Sequence, residues 1–192
     1  DDALGEAFDK TAKLLGIEFP GGPVIEQWAK KGNAQYFELP KPIIKRGGCN
    51  LSFAGLKTAV LRVSKNIKNK EEKYHLAASF QKTINEILYE KTKMAMREFL
   101  INKKNKFKTF VIAGGVASNL SIRDNLTKLA KEENFNYIFP PVNLCSDNAA
   151  MIAWAGIQRY NNNLIDNLEF LSRARWPLDI SAPFLKGSGL KF

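Results

Sequence analysis

With 192 residues, 45% of them hydrophobic and 25% charged, the chain can bury the core of one domain or of two small ones. No apolar stretch approaches the roughly 20 residues of a membrane span and no signal peptide is visible, so we expect a cytoplasmic protein without a membrane partner. The net charge of +10, from 29 Lys and Arg against 19 Asp and Glu, excludes an acidic protein and favours a polyanionic partner such as nucleic acid.

Hydrophobic periodicity predicts four helices in the first half of the chain, at residues 3–15, 24–31, about 55–67 and about 71–102. Gly16 is the expected stop of the first helix. The sequence Phe-Pro-Gly-Gly-Pro at 19–23 predicts a tight turn whose glycines can adopt positive φ. Residues 36–53, interrupted by prolines and glycines, are expected to be irregular or extended.

The last third of the chain alternates between strands and helices. The predicted order is strand 108–113, helix 119–132, strand 136–139 and helix 147–160. Such alternation is typical of an α/β fold whose neighbouring strands end at one site. Ser118 or Asn119 can cap the first of these helices, and Ser146 or Asp147 can cap the second.

The turn formed by Gly114 and Gly115, after the first of these strands, is the leading candidate for a nucleotide site. Glycine lets the backbone approach a phosphate or a base without a Cβ in the way. The following helix offers unpaired N–H groups and the positive end of its dipole. Many α/β proteins make such a turn without a ligand, so a purely structural role stays open. Capping is likewise the alternative role of Asn119 and Asp147.

Three further candidates, Asp9, Gly22 and Glu26, lie early in the chain. A carboxylate can accept hydrogen bonds from both hydroxyls of a ribose, which is why nucleotide sites use Asp or Glu. Asp9 could equally pair with Lys10 or Lys13.

Other conspicuous residues have explanations that need no ligand. Lysines cluster at 65, 68, 70 and 73 and at 103, 104, 106 and 108. Lysines at helix ends are usually solvated, and the abundance of Lys, Asn and Ile can also reflect genome composition. Cys145 lies two positions before Asp147 and is either a reactive thiol or a small buried residue. The single histidine, His75, is expected to be structural or exposed.

Six motifs follow one another along nearly the whole chain. They are Asp-Asp-Ala-x-Gly-Glu-Ala-Phe-Asp-Lys at 1–10, Phe-Pro-Gly-Gly-Pro at 19–23, Ser-Phe-x-Gly-Leu-Lys-Thr at 52–58, Gly-Gly-Val-x-x-Asn at 114–119, Cys-x-Asp-Asn-x-Ala-Met-Ile-Ala at 145–153 and Arg-Trp-Pro-Leu at 175–178. Together they resemble the Kae1/TsaD family of tRNA threonylcarbamoyladenosine transferases.

The resemblance implies an actin-like, RNase H-like (ASKHA) α/β fold, of which this chain would hold mainly the second lobe. Residues 1–178 would form this C-terminal lobe, with a helical and irregular substrate-contact segment at 1–70 and an α/β segment at 71–178. Residues 179–192 would be a tail. The implied reaction transfers a threonylcarbamoyl group from threonylcarbamoyl-AMP to the exocyclic amine of the adenosine beside the tRNA anticodon.

Carried over position by position, the resemblance implies that Asp9, Gly22 and Asn119 contact the nucleotide substrate, together with the Gly114–Gly115 turn. Glu26 stands where many relatives have an Asp with the same task. Asp147 would be one ligand of a divalent metal, usually iron, that polarises an oxygen of the substrate. The implied partners are tRNA and other proteins of the pathway, including a paralogue of related fold.

The sequence also departs from the family pattern. The family's other metal ligands are two histidines four positions apart, and this chain has only His75. One carboxylate cannot hold a catalytic metal tightly. The first nucleotide lobe is missing as well, so the chain looks like the C-terminal half of the enzyme. Ala54 replaces a family serine, and Asn50 stands where relatives usually carry Asp.

These observations leave more than one function open. The full-length protein is expected to be the transferase, with this chain inactive alone and no catalytic residue assigned. The alternative is a non-catalytic binding or assembly lobe of the transferase complex. A metalloglycoprotease is a weaker possibility, because no Ser-His or Cys-His pair and no zinc site can be assembled. A related sugar kinase is disfavoured by the motifs at 145–153 and 175–178.

Overall fold

The computed structural model describes residues 3–101 and 107–169, which form a mixed structure of helices and a small parallel sheet. The helices are α1 (Leu4–Leu14), α2 (Gly21–Ala29), α3 (Ala54–Ser64), α4 (Lys70–Ile101), α5 (Leu120–Glu132) and α6 (Ala149–Asn161). The strands are β1 (Thr109–Val111) and β2 (Asn136–Ile138), and a short 3₁₀ turn follows each of them, at Gly115–Ser118 and Val142–Leu144. This mixture of helices and a small parallel sheet is consistent with the α/β class expected from the sequence.

The chain divides after Ser146 into two compact units. The motif at 175–178, the tail at 179–192 and the lysines at 103, 104 and 106 lie outside the described residues. The expected subdivision at residue 70 stays a prediction. Across the described ranges, no helix combines the length and the apolar character needed to cross a membrane.

The two strands pair in parallel, with Thr109 opposite Asn136 and Val111 opposite Ile138. Helix α5 lies between them in sequence and packs against β2, so the predicted strand–helix–strand unit is confirmed. Both strands are shorter than predicted. The chain leaves β1 through Gly114, whose φ of 90° is unfavourable for any residue with a Cβ. The strand therefore leads into a 3₁₀ turn before α5 begins, rather than directly into the helix.

The first unit is built around α4, which contacts α2, α3 and α5. Phe80, Ile84 and Ile87 of this helix are fully buried. The rings of Phe8 and Phe80 meet edge to face, with centroids 5.1 Å apart. Because one long helix carries the core, the shorter helices and their connections are positioned by how they pack against it.

The irregular segment at 36–53 is also fixed to α4. It contains turns and bends but no helix or strand, as expected. Lys91 of α4 is only 2% exposed. Its ammonium group donates hydrogen bonds to the carbonyl oxygens of Arg46 (2.7 Å) and Gly48 (3.1 Å). A buried ammonium group is costly unless it is hydrogen-bonded, so this lysine holds the segment in place.

The expected glycine turn at 19–23 is wrong in one respect: Gly21 and Gly22 are helical. They form the first turn of α2, and neither has a positive φ. Pro23 is tolerated there because the first amides of a helix have no partner within it. Gly16, the predicted stop of α1, does have a positive φ of 79°.

Gly21 is required by packing. A Cβ on this residue would lie 2.1 Å from the Cβ of Ala12 on α1, whereas a Cβ on Gly22 would meet nothing within 4 Å. The contact between α1 and α2 therefore depends on the first glycine of the pair and not on the second.

We expect Gly21→Ala to destabilise the protein by ~1–3 kcal/mol, because two methyl groups cannot occupy one position. Its midpoint of thermal unfolding, followed by circular dichroism, should fall by roughly 2–4 °C for each kcal/mol. The neighbouring Gly22→Ala is the matched control and should unfold at or slightly above the temperature of the unsubstituted protein. Equal stability of the two variants would contradict the close approach of α1 and α2.

Candidate functional site

Five of the predicted site residues line a single cleft of about 660 Å³ in the first unit. They are Asp9 of α1, Gly22 and Glu26 of α2, and Gly115 and Asn119 from the connection between β1 and α5. Gly114 precedes Gly115 in the chain but is not itself a lining residue. The fold thus brings together residues from three separate motifs.

The rest of the cleft wall is mainly apolar and was not recognised in the sequence as part of a site. Phe8, Val116 and Val142 contribute to it, and Phe19, at 85% exposure, stands at its edge. An exposed aromatic ring beside a cleft can stack against a flat ligand such as a nucleobase. The available signal was the position of Phe19 directly before the Pro-Gly-Gly-Pro sequence.

Two of the lining glycines are not needed for packing. A Cβ on Gly22 or on Gly115 would meet nothing within 4 Å, and neither residue has a positive φ. Gly114 differs, because its φ of 90° explains the glycine without a ligand. The open space beside Gly22 and Gly115 is what a bound molecule would need in order to approach the backbone closely.

The carboxylate of Glu26 occupies the N-terminus of α5. Its Oε1 accepts hydrogen bonds from the backbone amides of Leu120 (3.0 Å) and Ser121 (3.4 Å). A negative charge is favourable there, because the helix dipole places partial positive charge at this end. Glu26 therefore joins α2 to α5 across 94 positions of sequence.

Asn119 completes the cap of α5. Its Oδ1 accepts from the amide of Ile122 (3.0 Å), and its Nδ2 donates to Oε1 of Gln81 on α4 (2.8 Å). Asn119 is 8% exposed. The amides of the first three residues of α5 are thus all engaged, and the expectation that this helix offers unpaired N–H groups is wrong. The physical reason is that side chains of the protein itself satisfy them: the carboxylate of Glu26 accepts from the first two amides, and the amide oxygen of Asn119 accepts from the third.

Asp9 has a similar role at α2, since its Oδ1 accepts from the amide of Gly21 (3.1 Å). The alternative pairing with Lys10 is not found, because Lys10 forms an ion pair and hydrogen bond with Glu6. That interaction lowers the pKa of Glu6. Asp9 is half-buried and lies on the cleft wall. Both cleft carboxylates are therefore held in place by backbone amides at helix N-termini.

Arg123 of α5 is a positioning residue that the sequence did not reveal. Its guanidinium donates to the carbonyl oxygen of Ala117 in the turn after β1, and to that of Pro140 after β2 (2.7 Å). It also lies 5.0 Å from the ring centroid of Phe139. Arg123 thereby ties together the two connections that follow the strands. Its partners are up to 22 positions away, so no local pattern could have identified it.

The two cysteines do not form part of a reactive site. Cys145 is 4% exposed and its sulfur accepts a hydrogen bond from Arg123 (3.1 Å), which favours the structural interpretation of this thiol. Cys49 is exposed and donates to the carboxylate of Glu98 (3.2 Å). That hydrogen bond is the main cause of a raised pKa of Cys49, so its reactive thiolate form is disfavoured.

Asp147 belongs to the second unit and is exposed. Neither Asp147 nor Ser146 is the N-cap of α6; Asn148 is, with its side chain accepting from the amide of Met151 (3.0 Å). Capping therefore does not account for Asp147. Within residues 3–101 and 107–169, no group of three His, Cys, Asp or Glu side chains could hold a metal ion. The described residues do not complete a metal site.

A larger cleft of about 810 Å³ lies between the segment at 34–46 and α4. None of the predicted site residues lines it. We therefore assign the candidate site to the smaller cleft, where the motif residues converge.

Residues 1–154 match the family model of TsaD, tRNA N6-adenosine threonylcarbamoyltransferase. The curated protein of that name from Pelagibacter ubique is 64% identical to this chain, over all of this chain and 54% of the relative. The one from Zymomonas mobilis is 48% identical, over all of this chain and 52% of the relative. One from Rickettsia rickettsii is 50% identical over 93% of this chain and 53% of its own length. The chain spans about half the length of these relatives.

We expect Glu26→Ala to lower the free energy of unfolding by about 1 kcal/mol, because it removes the cap from two amides of α5. Glu26→Gln keeps an acceptor oxygen, so its free energy of unfolding should fall by less. The measurement is urea unfolding, with hydrogen exchange at Leu120 and Ser121 as the local readout. Glu18→Ala, at an exposed position, is the control and should leave both unchanged. Unaltered exchange at the two amides in Glu26→Ala would contradict the cap.

Proposed function

The chain belongs to the TsaD family, tRNA N6-adenosine threonylcarbamoyltransferase, and we propose that it carries the nucleotide-holding part of such an enzyme. The full enzyme would transfer the threonylcarbamoyl group of threonylcarbamoyl-AMP to the exocyclic amine of the adenosine beside the tRNA anticodon. The observation that carries this proposal is the convergence of Asp9, Gly22, Glu26, Gly115 and Asn119 on one cleft.

We propose that the cleft binds the adenosine end of the substrate. Asp9 and Glu26 each use one carboxylate oxygen to accept from backbone amides, so the other oxygen is left to accept from a ribose hydroxyl. Because the amides fix both carboxylates beforehand, little conformational freedom would be lost on binding. The apolar wall, with Phe8 and Phe19, would cover the faces of the adenine ring.

The same carboxylates determine where the phosphate would lie. Two negative charges in one cleft repel a phosphate, and the α5 amides that could bind it are already engaged by Glu26 and Asn119. The phosphate and the activated carbonyl would therefore point away from α5. Because Gly22 and Gly115 have no side chains, the nucleoside could approach the backbone of the cleft closely at these two positions.

The chemistry that remains for the protein is mainly positioning. The mixed anhydride of threonylcarbamoyl-AMP is already activated, so no protein nucleophile is required. Holding the adenylate in one orientation makes attack by the tRNA amine effectively unimolecular. No residue of this chain is assigned as a catalytic acid or base.

A divalent metal, which we propose to be iron, would act as a Lewis acid toward an oxygen of the substrate. Asp147 is the residue of this chain proposed as one of its ligands. Because the described residues offer no set of three ligands, no step of the reaction is assigned to the metal here.

Several wider proposals rest on family membership. The fold of the whole protein would be the actin-like, RNase H-like (ASKHA) fold, with this chain forming mainly its second lobe. The protein would act in the cytoplasm with tRNA and with other proteins of the pathway, including a paralogue. A non-catalytic binding or assembly lobe is the second candidate, and the incomplete set of metal ligands among the described residues favours it for this chain in isolation.

The nucleotide cleft is tested by Gly115→Val, which places a branched side chain in the space beside Asn119. We expect this variant to bind AMP at least about tenfold more weakly in isothermal titration calorimetry, because about 1.4 kcal/mol of lost contact has that effect. Gly47→Val is the matched control, since Gly47 is exposed and also has open space beside it. Its AMP affinity should be unchanged.

Equal AMP affinity of Gly115→Val and the unsubstituted chain, with both variants folded, would contradict the assignment of the cleft. In the full-length enzyme, the same substitution should reduce the rate of tRNA modification measured by mass spectrometry of nucleosides.

The metal proposal makes a separate prediction. After dialysis at neutral pH, elemental analysis of this chain should find well below one iron or zinc ion per molecule, because a single carboxylate holds such ions weakly. Stoichiometric metal that survives dialysis would contradict the view that this chain holds an incomplete metal site.

A further inference from the structure

Four lysines and two aromatic rings meet where the end of α2 packs against the start of α4. The rings of Trp28 and Tyr74 lie edge to face, with centroids 5.2 Å apart. The ammonium groups of Lys31 and Lys70 lie 5.5 and 6.0 Å from the centroid of the Tyr74 ring. The set that we call the basic surface consists of Trp28, Lys31, Lys68, Lys70, Lys73 and Tyr74.

Packing holds this arrangement together. A Cβ on Gly32 would lie 2.0 Å from the carbonyl oxygen of Tyr74, so the chain after α2 touches the backbone of α4. The ammonium group of Lys73 donates to the carbonyl oxygen of Leu15 (2.9 Å) at the end of α1. The basic surface is therefore built by three helices of the first unit and includes a shallow cleft of about 370 Å³.

The charges of this surface are not neutralised locally. Among the residues that the structure describes, none of its four lysines has a carboxylate oxygen within 4.0 Å. Glu71 lies near His75 instead (3.9 Å), and Glu72 accepts from the backbone amide of Lys68 (2.8 Å). Two ammonium groups close to one ring repel each other, and an anion placed between them would relieve that repulsion.

Some lysines elsewhere on the protein do have carboxylate partners. Lys10 pairs with Glu6, and Lys128 lies 4.0 Å from Glu132. The basic surface is therefore distinguished by unpaired charge beside aromatic rings, and not simply by the presence of lysines.

We propose that the basic surface binds the sugar-phosphate backbone of tRNA. This inference rests on the proposed function, which makes tRNA the acceptor substrate. Lysines bind phosphates by displacing counterions. The adjoining rings of Trp28 and Tyr74 are half-buried, and their exposed parts add apolar surface that an unstacked base can contact and that an acidic protein partner would not use. Lys68, Lys70 and Lys73 of the first lysine cluster noted in the sequence thereby gain a function, and Lys31 joins them through the fold.

The location suits a substrate that also reaches the nucleotide cleft. Gly22 lines that cleft at the start of α2, and Lys31 follows the end of the same helix. At 1.5 Å per residue the two positions are roughly 13 Å apart along the helix. A single tRNA could therefore contact the basic surface while its adenosine approaches the cleft.

The test compares two double variants of equal charge. Lys31→Gln with Lys70→Gln removes two lysines of the basic surface, and Lys10→Gln with Lys128→Gln removes two lysines that lie beside carboxylates. Binding of a folded tRNA transcript to the chain is measured by fluorescence anisotropy at several NaCl concentrations. Thermal unfolding checks that each variant is folded.

We expect the first double variant to bind tRNA about tenfold more weakly, with a salt dependence reduced by about 1.4–1.8 in the slope of log K against log[NaCl]. The control variant should stay within about twofold of the unsubstituted chain and keep its slope. Equal weakening of both variants would overturn the proposal, because net charge alone would then explain it. Unchanged binding by the first variant would also overturn it.

Two further arms separate the causes of failure. In the first arm, polyglutamate replaces tRNA as the anion. If the first double variant loses as much affinity for polyglutamate as for tRNA, the basic surface binds anions in general, and the assignment to RNA is overturned. AMP binding is measured on the same double variant in the second. If the first double variant binds AMP normally and its affinity for tRNA is unaltered, the proposed role of the basic surface is rejected while the proposed function stands. Absence of both AMP and tRNA binding in the unsubstituted chain rejects the proposed function, and the basic surface with it.

Discussion

The carboxylate of Glu26 at the N-terminus of α5 is the contact on which the candidate site depends. It bonds two backbone amides that would otherwise be unsatisfied and places a negative charge at the positive end of the helix. In doing so it connects α2, which carries Gly22, to the connection that carries Gly115. Asn119 strengthens the same junction by bonding both Ile122 and Gln81. This junction is the polar contact that joins α2 to the start of α5.

The same junction gives the cleft its chemical character. A helix N-terminus is an anion site when its amides are open, but here the protein supplies the anion itself. The cleft consequently has carboxylate oxygens and apolar walls, a combination suited to a nucleoside rather than to a phosphate. Arg123, on the helix that Glu26 caps, holds the connections after β1 and β2, so the packing of α5 sets the position of both.

Much of the secondary structure could be predicted because it depends on local patterns. Periodic apolar residues located the helices, Gly16 marked the end of α1, and alternation in the last third indicated a strand–helix–strand unit. Local reasoning failed where distant residues decide the outcome. The start of α2 at Gly21 depends on Asp9, and the expectation of open amides at α5 failed because Glu26 lies 94 positions away.

The site was predictable only in part. The motifs identified residues that converge on one cleft, and the cap of α5 by Asn119 was one of the roles expected from the sequence. Nothing in the sequence indicated that Asp9 and Glu26 hold helix ends as well as line the wall. Arg123 was missed because a lone arginine carries no distinctive local signal, whereas Phe19 was missed although it directly precedes the Pro-Gly-Gly-Pro sequence. The place of Asp147 in a metal site stays a prediction, since its role depends on ligands that the described residues do not supply.

Nucleotide binding in the cleft is tested most directly by titrating the ¹⁵N-labelled chain with AMP and following its backbone amide resonances. We predict saturable shifts at Gly22 and Gly115, while the amides of Leu120 and Ser121 stay protected from exchange because Glu26 remains bonded to them. Shifts confined to the larger cleft at residues 34–46, or the absence of any saturable shift, would contradict the assignment.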